Sequence, residues 1–383
     1  MIKRTMQMYM SEAAKGFPVI TITGPRQSGK TTLAKLSFPS YQYYDLEDPD
    51  LRRAMQENPK ALLNNPTGRY IIDEFQLVPE LLSHIKVMVD VAQIQAQFVL
   101  TGSNQFSMMK GLSQSLAGRT AIFNLLPFAW QEIYADQKPD LDEAMFKGFY
   151  PRLIDQAMSP AIYYTAYINT YLERDIRLLS NLQNLSLFYK FLALCAGRTG
   201  SILNKVALAN ETGIDVKTAN NWLSLLQTSF IIYLLQPWHA NMNKRIVKSP
   251  KLYFYDTGLV NRLLRIRDAD DLATHPLRGQ IFETFVIGEF IKGFYNKGLE
   301  APIYFYRENN GTEIDLIIQN GAELLPIEIK SALSINSAFY KNILSFRKAM
   351  GKKMNAMVVY GGELEWETNQ ILNKSYANIG LPR

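Results

Sequence analysis

Between Val19 and Leu125 short apolar runs alternate with stretches of helical period: VITIT, YQYYDL, YIIDE, QFVLTG and TAIFNLL, each separated by enough chain for a crossover helix. Runs that stay apolar at consecutive positions suit strands buried on both faces, so this rhythm predicts a parallel sheet with helices on each side. From Leu126 to Asn181 the pattern turns helical, punctuated by Pro127, Pro139, Pro151 and Pro160, with a long periodic stretch from Ala161 to Leu179. This segment is expected to be a lid and connector. Residues Leu182 to Trp238 read as helix, turn, helix, turn, helix, with turns at Gly200 and Gly213, followed by the apolar run Ile231 to Leu235. From Pro276 the order is a helix to Tyr295, strands IYFY, TEIDLII and LLPIEIK, a helix from Ser337 to Met350, and a strand AMVVY.

These changes of rhythm divide the chain into 1–125, 126–181, 182–275 and 276–383. The fold class is α/β. Short helices joined by turns in the middle segment suit a winged helix-turn-helix, and the last segment has the αβββαβ order of a restriction-endonuclease-like core. With 383 residues, 47% hydrophobic and 20% charged, the chain can bury a sizeable core, which excludes disordered and fibrous classes. A net charge of +6 fits a nucleic-acid partner, DNA, without demanding one. The single cysteine, Cys195, permits no disulfide framework and points to a cytoplasmic compartment. No run approaches 18 apolar residues, so no membrane association is expected.

Gly24-Pro25-Arg26-Gln27-Ser28-Gly29-Lys30-Thr31 has the spacing G-x-x-x-x-G-K-[ST], follows the strand VITIT and opens a helix. The glycines let backbone N–H groups turn toward phosphates, and the helix N-terminus favours anions. Lys30 reaches the β- and γ-phosphates of ATP, and the Thr31 hydroxyl ligates Mg²⁺, with Thr32 beside it. The strand Tyr70–Ile72 ends in Asp73 and Glu74. Asp73 suits the Mg²⁺ shell and Glu74 the polarisation of attacking water; paired acids at strand ends also serve as helix caps. The strand ending at Leu100 runs into Thr101-Gly102-Ser103-Asn104, which puts Ser103 or Asn104 beside the γ-phosphate if this strand lies between the other two.

Together GPRQSGKTTL, IIDEFQ, LTGSN and LAGRTAIFNLLPF resemble the bacterial and archaeal AAA-type P-loop ATPases that carry an uncharacterised C-terminal domain, over nearly the whole chain. In such ATPases an arginine just before the fifth strand reaches a neighbour's γ-phosphate. Arg119 matches that position, which implies a homo-oligomer; an arginine at a strand start equally serves as a surface ion pair. Arg152 is the candidate for a second arginine sensor.

The last segment carries Glu283 on its first helix, Asp315 in TEIDLII, and Glu328-Ile329-Lys330. Glu328 and Lys330 project from one strand face. With Asp315 on the neighbouring strand, two carboxylates and an ammonium converge as a divalent metal and its attacking water require, and Glu283 could complete the set. This resembles the PD-(D/E)xK nuclease superfamily, which implies metal-dependent phosphodiester cleavage. A solvated cross-strand pair has the same spacing.

In the middle segment Lys217, Thr218, Asn220 and Asn221 stand near the start of a helix, with side-chain types that touch phosphates and base edges. Lys244, Arg245, Lys248 and Lys251 make the following stretch basic. His84, His239 and His275 lack metal-ligand spacing. The expected function is an ATP-hydrolysing module controlling a DNA-directed, nuclease-like domain. The rivals are an ATP switch with a catalytically silent adaptor and a protein-directed assembly ATPase.

Overall fold

The computed structural model describes residues 2–103, 115–135, 139–172, 185–238, 249–308 and 311–381. Asn104, His239, Lys244, Arg245 and Lys248, and the end of the predicted helix beyond Leu172, lie outside them. Contacts group the chain into two compact units. The first is Met1–Phe128 with Thr228–Phe230 and Lys292–Glu300; the second is Ala129–Gln227, Ile231–Ile291 and Ala301–Arg383.

The first unit is built on strands β1 (Val19–Thr23), β2 (Gln42–Asp45), β3 (Tyr70–Asp73), β4 (Phe98–Gly102) and β5 (Thr120–Asn124). They form one parallel sheet in the order β2-β3-β4-β1-β5. The fourth strand therefore lies between the first and third, the condition for its C-terminal end to face the phosphates. Helices α1 (Met6–Ala13) and α2 (Lys30–Ser37) cover one face, where Ile20, Ile22, Ile71, Val99 and Phe123 are buried. Helices α3 (Pro49–Glu57), α4 (Pro59–Leu62) and α5 (Leu81–Ala92) belong to the other, over Val19, Tyr70, Ile72, Phe98 and Leu100. Adjacent residues thus serve opposite cores, which is why these strands read as unbroken apolar runs. Asp48 caps α3 by accepting from the amides of Asp50 and Leu51, with Pro49 in the first turn.

The second unit begins with short helices, among them Leu141–Lys147, Pro151–Asp155 and Pro160–Tyr167, the last continuing as a π-helix over Ile168–Leu172. Then come helix Leu185–Ala196, β6 (Ser201–Ile202), helices Lys205–Thr212 and Val216–Thr228, β7 (Ile232–Leu235) and β8 (Lys251–Phe254). The three strands pair antiparallel in the order β6-β8-β7.

After helix Arg278–Asn296, β9 (Ile303–Arg307), β10 (Glu313–Asn320) and β11 (Glu323–Lys330) form an antiparallel meander. Helix Lys341–Met350 leads to β12 (Ala356–Tyr360), parallel to β11. A hairpin of β13 (Trp366–Thr368) and β14 (Ile371–Ser375), absent from the sequence expectation, extends this sheet to β13-β14-β12-β11-β10-β9. Its turn places Asn369 and Gln370 at φ 49° and 58°, and the buried Arg347 donates to both their carbonyls at 3.0 and 2.8 Å. Among the described residues no helix is long and apolar enough to cross a membrane.

Candidate functional site

The loop from Gly24 to Gly29 leaves β1 and opens α2 at Lys30. Gly24 has φ 149°, and a Cβ there would stand 2.1 Å from the Leu125 carbonyl oxygen, so only glycine fits. Gly29 precedes α2 at φ 93°, and Gln27 is also left-handed, at φ 61°. Lys30 is buried, and its ammonium donates to the carbonyls of Gly24 at 3.1 Å and Pro25 at 2.7 Å. Pro25 and Ser28 are buried, Arg26 lies 3.7 Å from Glu47, and Thr32 is exposed. The Ser28 Oγ is buried with no hydrogen-bond partner, a donor and acceptor left free inside a loop of backbone amides.

Asp73 closes the other side. It is 5% exposed and accepts from three side chains on three elements. Thr31 Oγ1 donates to Oδ2 at 2.6 Å, Tyr43 Oη donates to Oδ2 at 3.0 Å, and Thr101 Oγ1 donates to Oδ1. The Glu74 amide adds a bond to Oδ1 at 3.1 Å. Burial, and after it the charge of Asp73, push the Tyr43 phenol above its usual range, so it remains a donor. Glu74 takes a left-handed backbone at φ 53° and accepts from Ser103 Oγ at 3.1 Å and from the Gln76 amide. Of the two sensor candidates, Ser103 is therefore in direct contact with the acid. Sequence reasoning missed Tyr43, Thr101 and Gln76. Thr101 carries a signal, a polar residue at the buried end of an apolar strand; nothing in YQYYDL ties Tyr43 to Asp73.

Arg119 does not take part in this cluster. It precedes β5 at the N-terminal edge of the sheet, where its carbonyl accepts from the Val19 amide. Its guanidinium holds the carboxylate of Asp90 through Nε at 2.5 Å and a second nitrogen at 3.0 Å. In the second unit, Arg152 contacts Gln156 at 3.4 Å.

The C-terminal residues gather into two linked groups. Lys330 donates to Glu328 at 2.7 Å and Asp315 at 3.0 Å, and the Ile329 amide donates to Asp315 at 2.8 Å, so the strand spacing does bring these three together. Glu328 is 1% exposed; burial, and then Asp315, raise its pKa to about 8 against the opposing pull of Lys330.

Glu283 is engaged elsewhere. Lys251 and Tyr253, both on β8, donate to its Oε1, the lysine at 3.2 Å. Lys251 also meets Glu313 at 2.6 Å. Burial raises the Glu283 carboxyl to about 7 while Lys251 opposes it. Burial also works against the Lys251 ammonium, but Glu283, Asp315 and Glu313 overcome it and hold its pKa above the usual lysine range. Among the described residues no three or more His, Cys, Asp or Glu side chains are disposed to hold a metal ion. Of the expected set, Asp315 and Glu328 meet through Lys330, while Glu283 is held by Lys251 and Tyr253. Lys251, expected in a basic stretch that could track a nucleic-acid backbone, is instead 3% exposed inside this cluster.

On the helix Val216–Thr228, Lys217 and Asn221 are exposed and Asn220 is half-buried. Thr218 is spent on the helix start, with its amide and hydroxyl 2.9 and 2.6 Å from Asp215.

The sheet order and phosphate loop define the class, and residues 16–134 match the AAA domain family; the N-terminal domain is an AAA-type P-loop ATPase domain. Residues 138–270 and 278–378 match two domains of unknown function, DUF8612 and DUF4143. The chain is 30% identical over 354 residues to the uncharacterized protein Rv2008c of Mycobacterium tuberculosis, covering 90% of this chain and 77% of that one. The uncharacterized protein Mb2031c of Mycobacterium bovis matches to the same extent, 30% over 354 residues with 90% and 77% covered. The chain belongs to the family of these mycobacterial proteins. Among solved structures, the Walker-type ATPase PABY2304 of Pyrococcus abyssi superposes with a TM-score of 0.46 at 12% identity, over 67% of this chain and 94% of that one. The RuvB Holliday junction branch migration motor of Thermotoga maritima gives 0.30 at 16% identity, over 60% and 87%.

Proposed function

We propose that the chain binds Mg-ATP at Gly24 to Thr32, hydrolyses it, and uses the cycle to control a DNA-directed C-terminal domain in the cytoplasm. The observation that carries the ATPase reading is the 2.6 Å hydrogen bond from Thr31 to Asp73, which joins the end of the phosphate loop to the acid on β3. The residues fit nucleotide and metal: Gly24 leaves no room for a side chain, and the buried Ser28 hydroxyl is unpartnered. Lys30 and the loop amides hold the phosphates, and Thr31 and Asp73 hold Mg²⁺. Mg²⁺ when bound supplies charge neutralisation at the phosphate oxygens. Glu74, steadied by Ser103, accepts the proton of the attacking water. Lys30→Ala should abolish turnover while the melting temperature stays near wild type; normal hydrolysis by that variant would refute the assignment.

The DNA-directed reading is supported by two element orders. Between 185 and 254 the described residues run helix, strand, helix, helix, strand, strand, with a three-stranded antiparallel sheet, the order of a winged helix, before two further short helices. Helix Arg278–Asn296 through β12 runs αβββαβ, the order of a restriction-endonuclease-like core. Metal-dependent cleavage is favoured by Lys330 bonding both Asp315 and Glu328. A silent adaptor is favoured by the diversion of Glu283 to Lys251. Incubating supercoiled and linear DNA with Mg²⁺ or Mn²⁺ decides between them: cutting that is lost on Asp315→Ala supports a nuclease. ATP hydrolysis without cutting supports the adaptor. Arg119 acts on a neighbouring subunit in this scheme, so the working form is a homo-oligomer.

A further inference from the structure

We infer that Tyr43 is a positioning residue of the nucleotide site: its hydroxyl fixes the Asp73 carboxylate for a divalent cation. This deepens the ATPase reading and rests on it. The argument begins with the inventory around Asp73. Oδ1 is held by Thr101 from β4 and by the Glu74 amide, and both bonds come from the strand ends beside it. Among the described residues, the side chains that donate to Oδ2 are Thr31 and Tyr43. Thr31 is itself a Mg²⁺ ligand in the proposed chemistry: a lone pair of its hydroxyl oxygen faces the cation while its proton stays on Asp73. Among the described residues, Tyr43 is then the one side-chain donor on Oδ2 that is not itself a ligand of the cation.

The phenol is placed for this by its strand. Tyr43 pairs in register with Ile71, and Asp45, two residues on, pairs with Asp73. The ring therefore lies one strand over from Asp73 and reaches along the sheet toward its end. The Lys35 ammonium lies 3.4 Å from the ring centroid, on a helix that begins at the phosphate loop, and this contact orients the ring. The phenol places its one proton on Asp73, which suits it to hold a carboxylate that must stay ionised. Loss of a group that orients a metal ligand typically costs about 10–100-fold in metal affinity or activity.

The test is Tyr43→Phe, read by binding rather than turnover. Fluorescent ribose-labelled ATP is titrated into the full chain in EDTA and across a Mg²⁺ series, with thermal melting as the fold check. The expected result is a Mg²⁺ half-saturation raised about tenfold, with EDTA-state nucleotide affinity within about twofold of wild type. In an Asp73→Asn background the same substitution should give no further shift, because its effect passes through that carboxylate. An unchanged Mg²⁺ requirement, an equal loss of affinity with and without Mg²⁺, or an additive shift in the Asp73→Asn background would each overturn the proposal. Tyr43→Leu provides the same comparison should the phenylalanine variant unfold. If wild type binds no nucleotide at all, the ATPase reading falls and the role of Tyr43 with it; nucleotide binding without the Mg²⁺ shift removes Tyr43 alone.

Discussion

Ser103 Oγ donates to Glu74 Oε2 at 3.1 Å, joining the residue after β4 to the acid after β3. This bond fixes the direction of a carboxylate whose backbone is already confined at φ 53°. Glu74→Gln should lower turnover by about two to four orders of magnitude with nucleotide still bound. Ser103→Ala should cost roughly tenfold, the size expected for one hydrogen bond to a charged group. Steady-state hydrolysis beside nucleotide binding measures both; a Ser103 variant with full turnover would show that the contact is incidental.

Gly24→Ala tests the cradle itself. The added Cβ would sit 2.1 Å from the Leu125 carbonyl oxygen, at φ 149°. Strain of this kind costs about 1–3 kcal/mol. A lower melting temperature together with loss of nucleotide binding is expected, and a variant that melts and binds as wild type would contradict the close approach of the two strands' ends.

Much of this site was legible in the sequence because its signals are local. A phosphate loop is read from eight consecutive residues, and Asp73 and Glu74 are read from one strand end. Those signals also gave the strand runs, since each of β1, β3 and β4 is buried on both faces. What the sequence withheld depends on residues far apart in the chain. Tyr43 meets Asp73 only because β2 pairs with β3, and Lys251 meets Glu283 only because β8 lies against helix Arg278–Asn296. In the last segment the spacing of Asp315, Glu328 and Lys330 is local to two neighbouring strands, and Lys330 pairs with both acids. Spacing gave no hint that a lysine from another segment would claim Glu283. The β13–β14 hairpin was missed because its short strands are polar on the outer edge and lack an apolar alternation.

Lys251→Met removes a buried ammonium from between Glu283 and Glu313. Stranding those carboxylates should destabilise the chain by about 3–5 kcal/mol, seen as a lower denaturation midpoint at neutral pH. Acidification should recover part of the loss, since protonated acids no longer need the lysine. Equal destabilisation at pH 5 and pH 8 would argue that the lysine contributes packing alone.

The pH dependence of the wild type follows from the raised carboxyls. Glu328 and Glu283 move from 4.5 when unfolded to about 8 and about 7 when folded. The folded state therefore binds more protons between those limits, and these two groups contribute stability that is lost as pH rises from near 4.5 to near 8. Melting temperatures at pH 5 and pH 8 should fall in that order, and Glu328→Gln should flatten the slope. A slope unaffected by Glu328→Gln would place its origin elsewhere.

Arg119 and Asp90 form an exposed pair, and such pairs contribute little to stability. Asp90→Ala should leave melting near wild type and free the guanidinium. If Arg119 completes a neighbour's site, Arg119→Ala should abolish turnover while Asp90→Ala preserves it, and active complexes should sediment as oligomers. Full turnover by Arg119→Ala would reduce the residue to its ion pair.

The place of β1 in the sheet has a consequence for synthesis. Both strands that flank it, β4 and β5, are encoded well after it, so a ribosome exposes the phosphate loop long before the walls that shape it exist. ATP present during translation finds no site on the early nascent chain. Its first capture would mark the moment when residue 124 has emerged and the last strand has closed onto the first.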